Sequence, residues 1–403
     1  MLVVSGAAKD FSNKRSGESG VRKVGRKQLI FAHLEGYDAR KLFNCSQYEN
    51  EYLWENIQKE PTMNHLPVTS KQFEVVKSIE GFVEENLSSL LKPINENWQP
   101  SDLLPDMRSE DWREQITEFR RRAKELTDEV LVVLVGDMVT EEALPSYQTW
   151  LNRFDGINDP TGDSESPWAK WSRGWTSEEN RHGDLLNKYL YLTGRVDMRS
   201  VETTVQHLIN NGFNTNSGND PYLGFIYTSF QERATKISHR NVGILAKRCG
   251  DEHLHKICGL IAGDEARHEK AYKLFMSKIF ELDPENAVIA FAAMMKNKVT
   301  MPASLMTDGR DTDLFSKFSN VAQRIGVYTA KDYASIIAAL VDEWKIETLN
   351  GLSDASAKAQ DYLSTLSQRY EKVAERLTIS GTAKFHWIFD REIVLDTPKI
   401  QMI

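Results

Sequence analysis

The sequence predicts an all-α fold in which four long helices form a central bundle and additional helices pack around it. Two Glu-x-x-His motifs, at residues 179–182 and 265–268, each place a carboxylate and an imidazole on one face of a helix. A single glutamate precedes each motif, Glu141 by 38 residues and Glu232 by 33 residues. Gaps of this size suit half a helix, a loop and half of a returning helix, so the four segments are expected to be neighbours.

The order of these candidate ligands also indicates the type of bundle. Glu232 follows Glu179 by 53 residues, which leaves room for a crossover with a short helix of its own. Glu, Glu-x-x-His, crossover, Glu, Glu-x-x-His is the ligand order of the ferritin-like di-iron or di-manganese carboxylate four-helix bundle. A third Glu-x-x-His, at residues 252–255, lies about 140° around the helix axis from Glu265 and cannot share the site.

The chemistry of the six candidate ligands favours a pair of hard divalent ions. They are four carboxylates and two imidazoles: Glu141, Glu179, His182, Glu232, Glu265 and His268. Four negative charges balance two divalent cations, and oxygen ligands with one imidazole per ion favour iron or manganese. Buried glutamates on facing helices are costly unless they are paired or bind metal. The sequence therefore predicts two bound divalent ions, either iron or manganese.

The other elements follow from apolar periodicity and from helix-breaking residues. A helix over 69–91 ends before Pro93, a second occupies about 109–126, and a third, over 128–154, is apolar nearly all round. Pro145 deletes the hydrogen bond to the Glu141 carbonyl, so this third helix is expected to kink beside the first ligand. Further helices are predicted at 168–192, 198–209, 222–247, 252–280, 286–298, 313–325, 330–349 and 353–377.

Composition excludes several classes of function. The net charge of −8 argues against nucleic acid as the main partner. The three cysteines, Cys45, Cys249 and Cys258, are scattered and odd in number, which is typical of reduced thiols rather than a disulfide framework. No run of about 18 apolar residues occurs, so we expect no membrane span.

The chain divides into two parts of different character. Residues 1–66 lack helical periodicity and begin with a basic, serine-containing stretch, which is typical of an organelle transit peptide or of a disordered tail. Residues 67–403 are expected to form a single helical domain with an aromatic C-terminal tail that docks on its body.

Two residues beside the ligands carry further hypotheses. Thr235 lies one turn beyond Glu232, where its hydroxyl either approaches the metals or bonds its own backbone. Asp264 directly precedes Glu265 and is a candidate acceptor for the outer nitrogen of a ligating histidine.

Taken together, the motifs closely resemble those of the plant soluble acyl carrier protein desaturases, the stearoyl-type enzymes of plastids. The resemblance covers roughly residues 67–395. It rests on the stretches GDMVTEEALP (136–145), WTSEENRHG (175–183), PYLGFIY (221–227), FQERAT (230–235), DEARHE (264–269), DGRD (308–311) and WIFDR (387–391).

The resemblance implies a role for each matching residue. The six candidate ligands would bind two iron ions, with Glu179 and Glu265 as bridges. Trp98, Asp264 and His182 would lie on the electron route from the surface, and Thr235 would sit near the oxygen-binding side. The implied reaction uses dioxygen and reduced ferredoxin to place a cis double bond in a saturated acyl chain on acyl carrier protein. The family is homodimeric and works in fatty acid biosynthesis in the plastid stroma.

Substrate-binding residues are also expected from this resemblance. An apolar cleft beside the metals would be bounded by Thr140, Trp150, Phe154, Gly224 and Tyr227. The acidic carrier protein would meet a basic surface, for which the candidates are Arg267, Lys270 and Lys298, with Lys273 and Lys296 nearby in sequence.

Two aromatic residues depart from the family pattern. Trp150 replaces the methionine usual in the stearoyl enzymes, and Phe154 replaces a smaller aliphatic residue. The added volume predicts a preference for a chain shorter than stearoyl, such as palmitoyl, or an altered double-bond position, unless the core repacks to compensate.

Other di-iron proteins remain alternatives: another carboxylate oxidase of the ferritin-like class, an iron store, or a radical-forming subunit that would use Tyr147 or Tyr227.

Overall fold

The computed structural model describes residues 68–376 and 383–395. The transit-like or disordered segment expected at residues 1–66 lies outside the described residues. Within them, the regular secondary structure is helical apart from one short hairpin, and this confirms the predicted all-α, ferritin-like class.

Thirteen α-helices occur in the described part of the chain. They are α1 (Ser70–Ser78), α2 (Glu80–Leu90), α3 (Trp112–Ala123), α4 (Asp128–Glu142), α5 (Leu144–Leu151), α6 (Pro167–Thr193), α7 (Met198–Asn211), α8 (Pro221–Arg248), α9 (Glu252–Leu282), α10 (Pro284–Asn297), α11 (Leu314–Arg324), α12 (Ala330–Glu343) and α13 (Asp354–Arg376). Short 3₁₀ turns lie at Ile94–Glu96, Pro100–Asp102, Pro302–Leu305 and Ile346–Thr348. None of the described helices is both long and apolar enough to cross a bilayer.

Helices α4, α6, α8 and α9 form the central bundle. Helix α8 packs along α9, α4 packs along α6, and contacts of α4 with α8 and of α6 with α9 join the two pairs. Helix α7 is the short crossover helix between the pairs. Each bundle helix carries the ligand or ligand pair that the sequence assigned to it.

The bundle helices begin at local capping signals. The side chains of Thr127, Ser166, Asp220 and Asp251 each accept hydrogen bonds from backbone N–H groups in the first turn of the helix that follows. Such caps satisfy donors that have no partner within the helix. They therefore fix where each helix begins relative to its ligands.

The expected distortion at Pro145 is a complete break rather than a kink. Helix α4 ends at Glu142 and α5 begins at Leu144, with Ala143 between them at φ −80° and ψ 11°. Proline is tolerated in the first turn of a helix, where its missing N–H would have no partner. The Tyr147 hydroxyl donates to the Thr140 carbonyl over 2.8 Å. Glu141 consequently lies in the last turn of α4.

The aromatic tail packs against the crossover helix. Strands β1 (Ala383–Phe385) and β2 (Ile393–Leu395) pair antiparallel, and Trp387 and Ile388 between them are buried. The Trp387 indole N–H donates to the Thr204 hydroxyl on α7 over 3.0 Å. The tail thus closes the apolar core on that side of the bundle.

Candidate metal centre

The six predicted ligands converge at the middle of the bundle. Their ligand atoms form two sets, within each of which all atoms lie within 4.8 Å of one another: Glu141, Glu179, His182 and Glu265 in one set, and Glu179, Glu232, Glu265 and His268 in the other. All six side chains are buried. Glu179 and Glu265 belong to both sets, which is the placement needed for carboxylates that bridge two ions.

The two imidazoles present one nitrogen each to this centre. His182 Nδ1 lies 3.1 Å from Glu179 Oε2 and 3.4 Å from Glu265 Oε1. His268 Nδ1 lies 2.5 Å from Glu179 Oε1 and 3.7 Å from Glu232 Oε2. Despite these short distances, the two Nδ1 atoms, Glu179 Oε1 and Glu265 Oε1 are buried with no partner in hydrogen-bonding geometry. Buried polar atoms are normally satisfied, so these groups fit a pair of bound cations.

The electrostatics of the centre also fit a cation. Burial alone would raise the pKa of the Glu179 carboxyl, but the imidazoles of His182 and His268 outweigh it and hold that pKa well below its usual range. Burial and the neighbouring carboxylates of Glu265 and Glu179 raise the pKa of Glu232 well above its usual range. Among the described residues, no lysine or arginine pairs with any of the four ligand carboxylates. Two divalent ions would balance their charge.

Carboxylates hold the outer nitrogens of both histidines. His182 Nε2 lies 3.3 Å from Asp264 Oδ2, and His268 Nε2 lies 2.8 Å from Glu178 Oε2. Such a carboxylate fixes the ring orientation and the tautomer that leaves Nδ1 for the metal. Asp264 was predicted in this role, but Glu178 was missed. The sequence signal was available, because Glu178 precedes Glu179 just as Asp264 precedes Glu265.

A partly exposed tryptophan connects the surface to one half of the centre. The Trp98 indole N–H donates to Asp264 Oδ2 over 3.1 Å. Its ring stacks on that of His182 with centroids 6.0 Å apart and planes 13° apart. The Arg181 guanidinium lies 4.3 Å over the Trp98 ring. Trp98, Asp264 and His182 therefore form a continuous chain of contacts, and the electron route that the resemblance assigns to them stays a prediction.

Thr235 satisfies both readings of its sequence position. Its Oγ1 lies 2.9 Å from Glu265 Oε2, and it also lies 3.1 Å and 3.2 Å from the Gln231 and Glu232 carbonyl oxygens. A hydroxyl has one proton to donate, so these acceptors compete for it. Thr235 can thus exchange between its own helix and a ligand carboxylate.

A narrow, mainly apolar cavity opens onto one face of the centre. All four ligand carboxylates line it and neither histidine does. Thr140, Trp150 and Tyr227 line it as expected, and Leu144, Tyr147, Leu151, Phe213, Thr228 and Pro302 complete most of its wall. The histidine rings and their carboxylate partners, Asp264 and Glu178, lie outside the lining of this cavity. The centre therefore has an apolar side and a charged side.

Comparison with known proteins identifies the family of this chain. The family model described as fatty acid desaturase matches residues 71–389. The chain belongs to the fatty acid desaturase family. It is 58% identical over 345 residues to an acyl-[acyl-carrier-protein] desaturase of Cucumis sativus, covering 83% of this chain and 87% of that protein. The resemblance inferred from the motifs is thereby confirmed, and the protein is an oxidoreductase.

Two further relatives differ in the substrates for which they are named. The stearoyl-[acyl-carrier-protein] 9-desaturase of Spinacia oleracea is 56% identical over 343 residues, covering 83% of this chain and 86% of that protein. The palmitoyl-[acyl-carrier-protein] 4-desaturase 3 of Ophrys sphegodes is 56% identical over 330 residues, covering 81% and 83%. Overall identity therefore does not distinguish these two relatives.

Two of the expected cavity residues lie behind the cavity wall of this desaturase. Phe154 is fully buried, with its ring edge-on to Trp150 at a centroid distance of 4.8 Å. Gly224 lies against the Phe154 ring so closely that a Cβ there would be 2.4 Å from Phe154 Cε2. Neither residue is in the cavity lining. The expectation that these two residues contact the cavity was wrong, because the Phe154 ring occupies the space beside Gly224 and packs behind Trp150.

One part of the cavity wall is an aromatic cluster around Trp150. The Trp150 ring packs edge-on against Phe213 and Tyr227, each at a centroid distance of 5.2 Å. The Trp150 indole N–H donates to the Ser217 hydroxyl over 3.2 Å. Phe213 was not singled out from the sequence, because it lies in a loop without periodicity.

The expected carrier-binding surface needs one correction. Arg267 points inward, where its Nη1 lies 2.7 Å from Asp264 Oδ1 and its Nη2 lies 2.6 Å from Glu178 Oε2. Arg267 is therefore held beside the carboxylate partners of the two histidines, because these two buried carboxylates attract it more strongly than solvent does. Lys270 is exposed and Lys298 is half-buried.

Two residues that were not predicted from the sequence contact the ligand carboxylates of Glu141 and Glu232. His239 Nε2 lies 2.7 Å from Glu141 Oε1, and the Trp175 indole N–H donates to Glu232 Oε1 over 3.0 Å. Helical periodicity contained a signal for both. His239 lies two turns after Glu232, and Trp175 lies one turn before Glu179, so each faces the bundle interior.

Proposed function

We propose that this desaturase introduces a cis double bond into a saturated acyl chain carried on acyl carrier protein. The observation that carries the proposal is the geometry of the centre, in which four converging carboxylates open onto a narrow apolar cavity. The relatives that are named as acyl carrier protein desaturases support the choice of carrier. Their names include the word chloroplastic, which supports a plastid location. The stroma, within the plastid, is proposed from the family resemblance.

The chemistry requires an oxidant that the side chains cannot provide. Each turnover converts –CH₂–CH₂–, O₂, two electrons and two protons into –CH=CH– and two H₂O. An unactivated methylene C–H bond is beyond the reach of acid–base or nucleophilic side chains, so a cofactor is needed. Two iron ions, when bound by Glu141, Glu179, His182, Glu232, Glu265 and His268, would supply the oxidising chemistry. The chain's own residues position the substrate and exclude water.

The two faces of the centre suggest separate routes for substrate and electrons. The acyl chain would lie on the carboxylate side, in the cavity that Thr140 and Thr235 line. Electrons from reduced ferredoxin would enter on the histidine side through Trp98 and Asp264, whose contacts reach His182. Separation of this kind keeps the electron donor out of the apolar cavity, so the acyl chain need not leave during reduction.

By the family resemblance, the aromatic cluster around Trp150 would form the end wall of the cavity, and this underlies a proposal about chain length. Trp150 lines the cavity, and the Phe154 ring packs edge-on against it. We expect a preference for palmitoyl over stearoyl chains, or a shifted double bond, because a longer chain needs space that the Trp150 ring occupies. Carrier docking is assigned to Lys270 and Lys298, whose positive charge suits an acidic partner. The homodimer implied by the family resemblance is part of the proposal.

Competition between two substrates tests the function. Purified, iron-loaded protein receives reduced ferredoxin, oxygen, and equal amounts of palmitoyl and stearoyl carrier protein, and the fatty acids are identified by mass spectrometry. A monounsaturated product, with C16 favoured, is expected. No unsaturated product from protein that holds two irons per chain would contradict the desaturase assignment and favour another di-iron oxidase. Equal use of both substrates would contradict only the chain-length proposal.

A further inference from the structure

The charged face of the metal centre contains a compact layer of four ionised side chains. Glu178, Asp264 and Arg181 are buried, and Arg267 is half-buried. Two carboxylates and two guanidinium groups make this layer neutral as a whole. Buried charges are costly unless they are paired, so these four side chains can be buried together only because their charges balance.

Arg267 is bound to both carboxylates at once. Its Nη1 lies 2.7 Å from Asp264 Oδ1 on its own helix α9, and its Nη2 lies 2.6 Å from Glu178 Oε2 on α6. The other arginine has a different arrangement. Arg181 Nη2 lies 2.9 Å from Asp264 Oδ2, and its Nη1 donates to the Trp98 carbonyl over 2.6 Å. Thus, of the two guanidinium groups, Arg267 is the one that bridges the helices through both carboxylates.

Each of these carboxylates in turn holds one histidine of the centre. Asp264 Oδ2 contacts His182 Nε2, and Glu178 Oε2 contacts His268 Nε2. The two histidines belong to different ligand sets. The guanidinium group of Arg267 therefore contacts the carboxylate partner of the imidazole ligand at each of the two metal positions.

We infer that Arg267 is a positioning residue that couples the two metal positions. By holding Glu178 and Asp264 together, it fixes the orientation of both imidazoles, so that both Nδ1 atoms face the centre. This inference needs only that the six residues bind two divalent ions, and it does not depend on the acyl substrate.

The geometry also explains why an arginine is required. A guanidinium group is a rigid fork whose N–H groups reach two acceptors in fixed directions, whereas a lysine ammonium is a point charge on a flexible stem. Lysine at position 267 keeps the charge of the layer but cannot hold both carboxylates in register. Glutamine at this position removes the charge and leaves one buried carboxylate uncompensated.

The test measures metal binding and spectroscopy on the full chain. Metal-free wild type, Arg267→Lys and Arg267→Gln are titrated with Co²⁺, and the proteins loaded with ⁵⁷Fe²⁺ are compared by Mössbauer spectroscopy. Arg181→Lys is the matched control, because Arg181 contacts the carboxylate of one histidine. Thermal melts of the metal-free proteins identify any variant that has lost its fold.

The inference predicts a different pattern for the two arginines. Both Arg267 variants should bind both ions about 10–100-fold more weakly, as expected when a partner behind a ligand is disturbed, and should alter both iron signals. Arg181→Lys should alter the signal of one iron. If Arg267→Lys keeps its fold and binds both ions with wild-type affinity and spectrum, or perturbs one iron alone, the inference is wrong. A wild-type protein that binds no pair of ions would instead overturn the proposed function.

Discussion

At the scale of single residues, the bridging glutamates should matter most. Glu179 belongs to both ligand sets, so Glu179→Ala is expected to abolish binding of both ions and all turnover, whereas His268→Ala removes a ligand from one set. The matched control is Glu252→Ala, which changes an exposed glutamate of the third Glu-x-x-His motif. Metal content per chain, measured after loading and desalting, checks the prediction. Two ions retained by Glu179→Ala would contradict the ligand assignment.

Trp150 allows a prediction about specificity. Trp150→Met shortens the side chain at the cavity end, and we expect the ratio of stearoyl to palmitoyl turnover to rise by about 10-fold or more, since a methylene in an apolar pocket contributes about 1–3 kcal/mol. Trp344→Met is the control, because Trp344 is buried outside the cavity lining. Competition assays with both carrier-bound chains give the ratio. An unchanged ratio in Trp150→Met would mean that the end wall does not select chain length.

The site residues differ in how far the sequence could identify them. The six ligands follow from spacing along the chain, because helical periodicity alone places Glu179 with His182 and Glu265 with His268. The role of Arg267 does not follow, since exposed and inward-pointing arginines have the same sequence pattern. Its direction depends on Glu178, a residue on another helix. Phe154 was assigned to the cavity for a similar reason, since contact with Gly224 is a property of the folded chain.

At the scale of helices, the close approach of α4 and α6 carries a prediction. A Cβ on Gly183 would lie 3.1 Å from the Glu142 amide nitrogen and 3.3 Å from the Glu141 carbonyl carbon, both backbone atoms that cannot rotate away. Gly183→Ala should therefore separate the two helices, lower the free energy of unfolding by about 1–3 kcal/mol and weaken metal binding.

A second glycine provides the matched control for this change. Gly259 lies in the interior of α9 and is exposed, and a Cβ there would meet nothing within 4 Å. Gly259→Ala should raise the free energy of unfolding by about 0.5–1 kcal/mol, because glycine is entropically costly in a helix. Chemical denaturation of both variants checks the pair. A Gly183→Ala protein as stable as Gly259→Ala would contradict the close approach of α4 and α6.

Helix positions were largely predictable, and helix boundaries were less so. Helices α6, α8 and α9 were recognised because their periodicity continues for more than twenty residues, whereas α4 was recognised as a long apolar run. The segment 69–91 was predicted as one helix, but it is broken at Ile79 between α1 and α2. The short β1–β2 hairpin was not predicted, since its three-residue strands have too few positions to show an alternation.

At the scale of the whole molecule, metal binding should stabilise the fold. Without cations, four buried carboxylates converge with no lysine or arginine paired to them among the described residues. Removal of the ions by a chelator should lower Tm, and added Fe²⁺ should restore it, because a ligand that binds only the folded state stabilises it by mass action. Calorimetry of both forms checks this, with Glu179→Ala as the variant in which Fe²⁺ should have no effect. Equal Tm values with and without metal would contradict a bound pair.

The central claim is that the six-ligand centre and its apolar cavity together remove two hydrogens from an acyl chain. The most direct test is a single turnover: chemically reduced, iron-loaded protein is mixed with palmitoyl carrier protein under anaerobic conditions and exposed to one pulse of oxygen. The account predicts that the amount of unsaturated acyl carrier protein formed matches the amount of reduced iron pairs. Oxidation of the iron without any unsaturated product would contradict it.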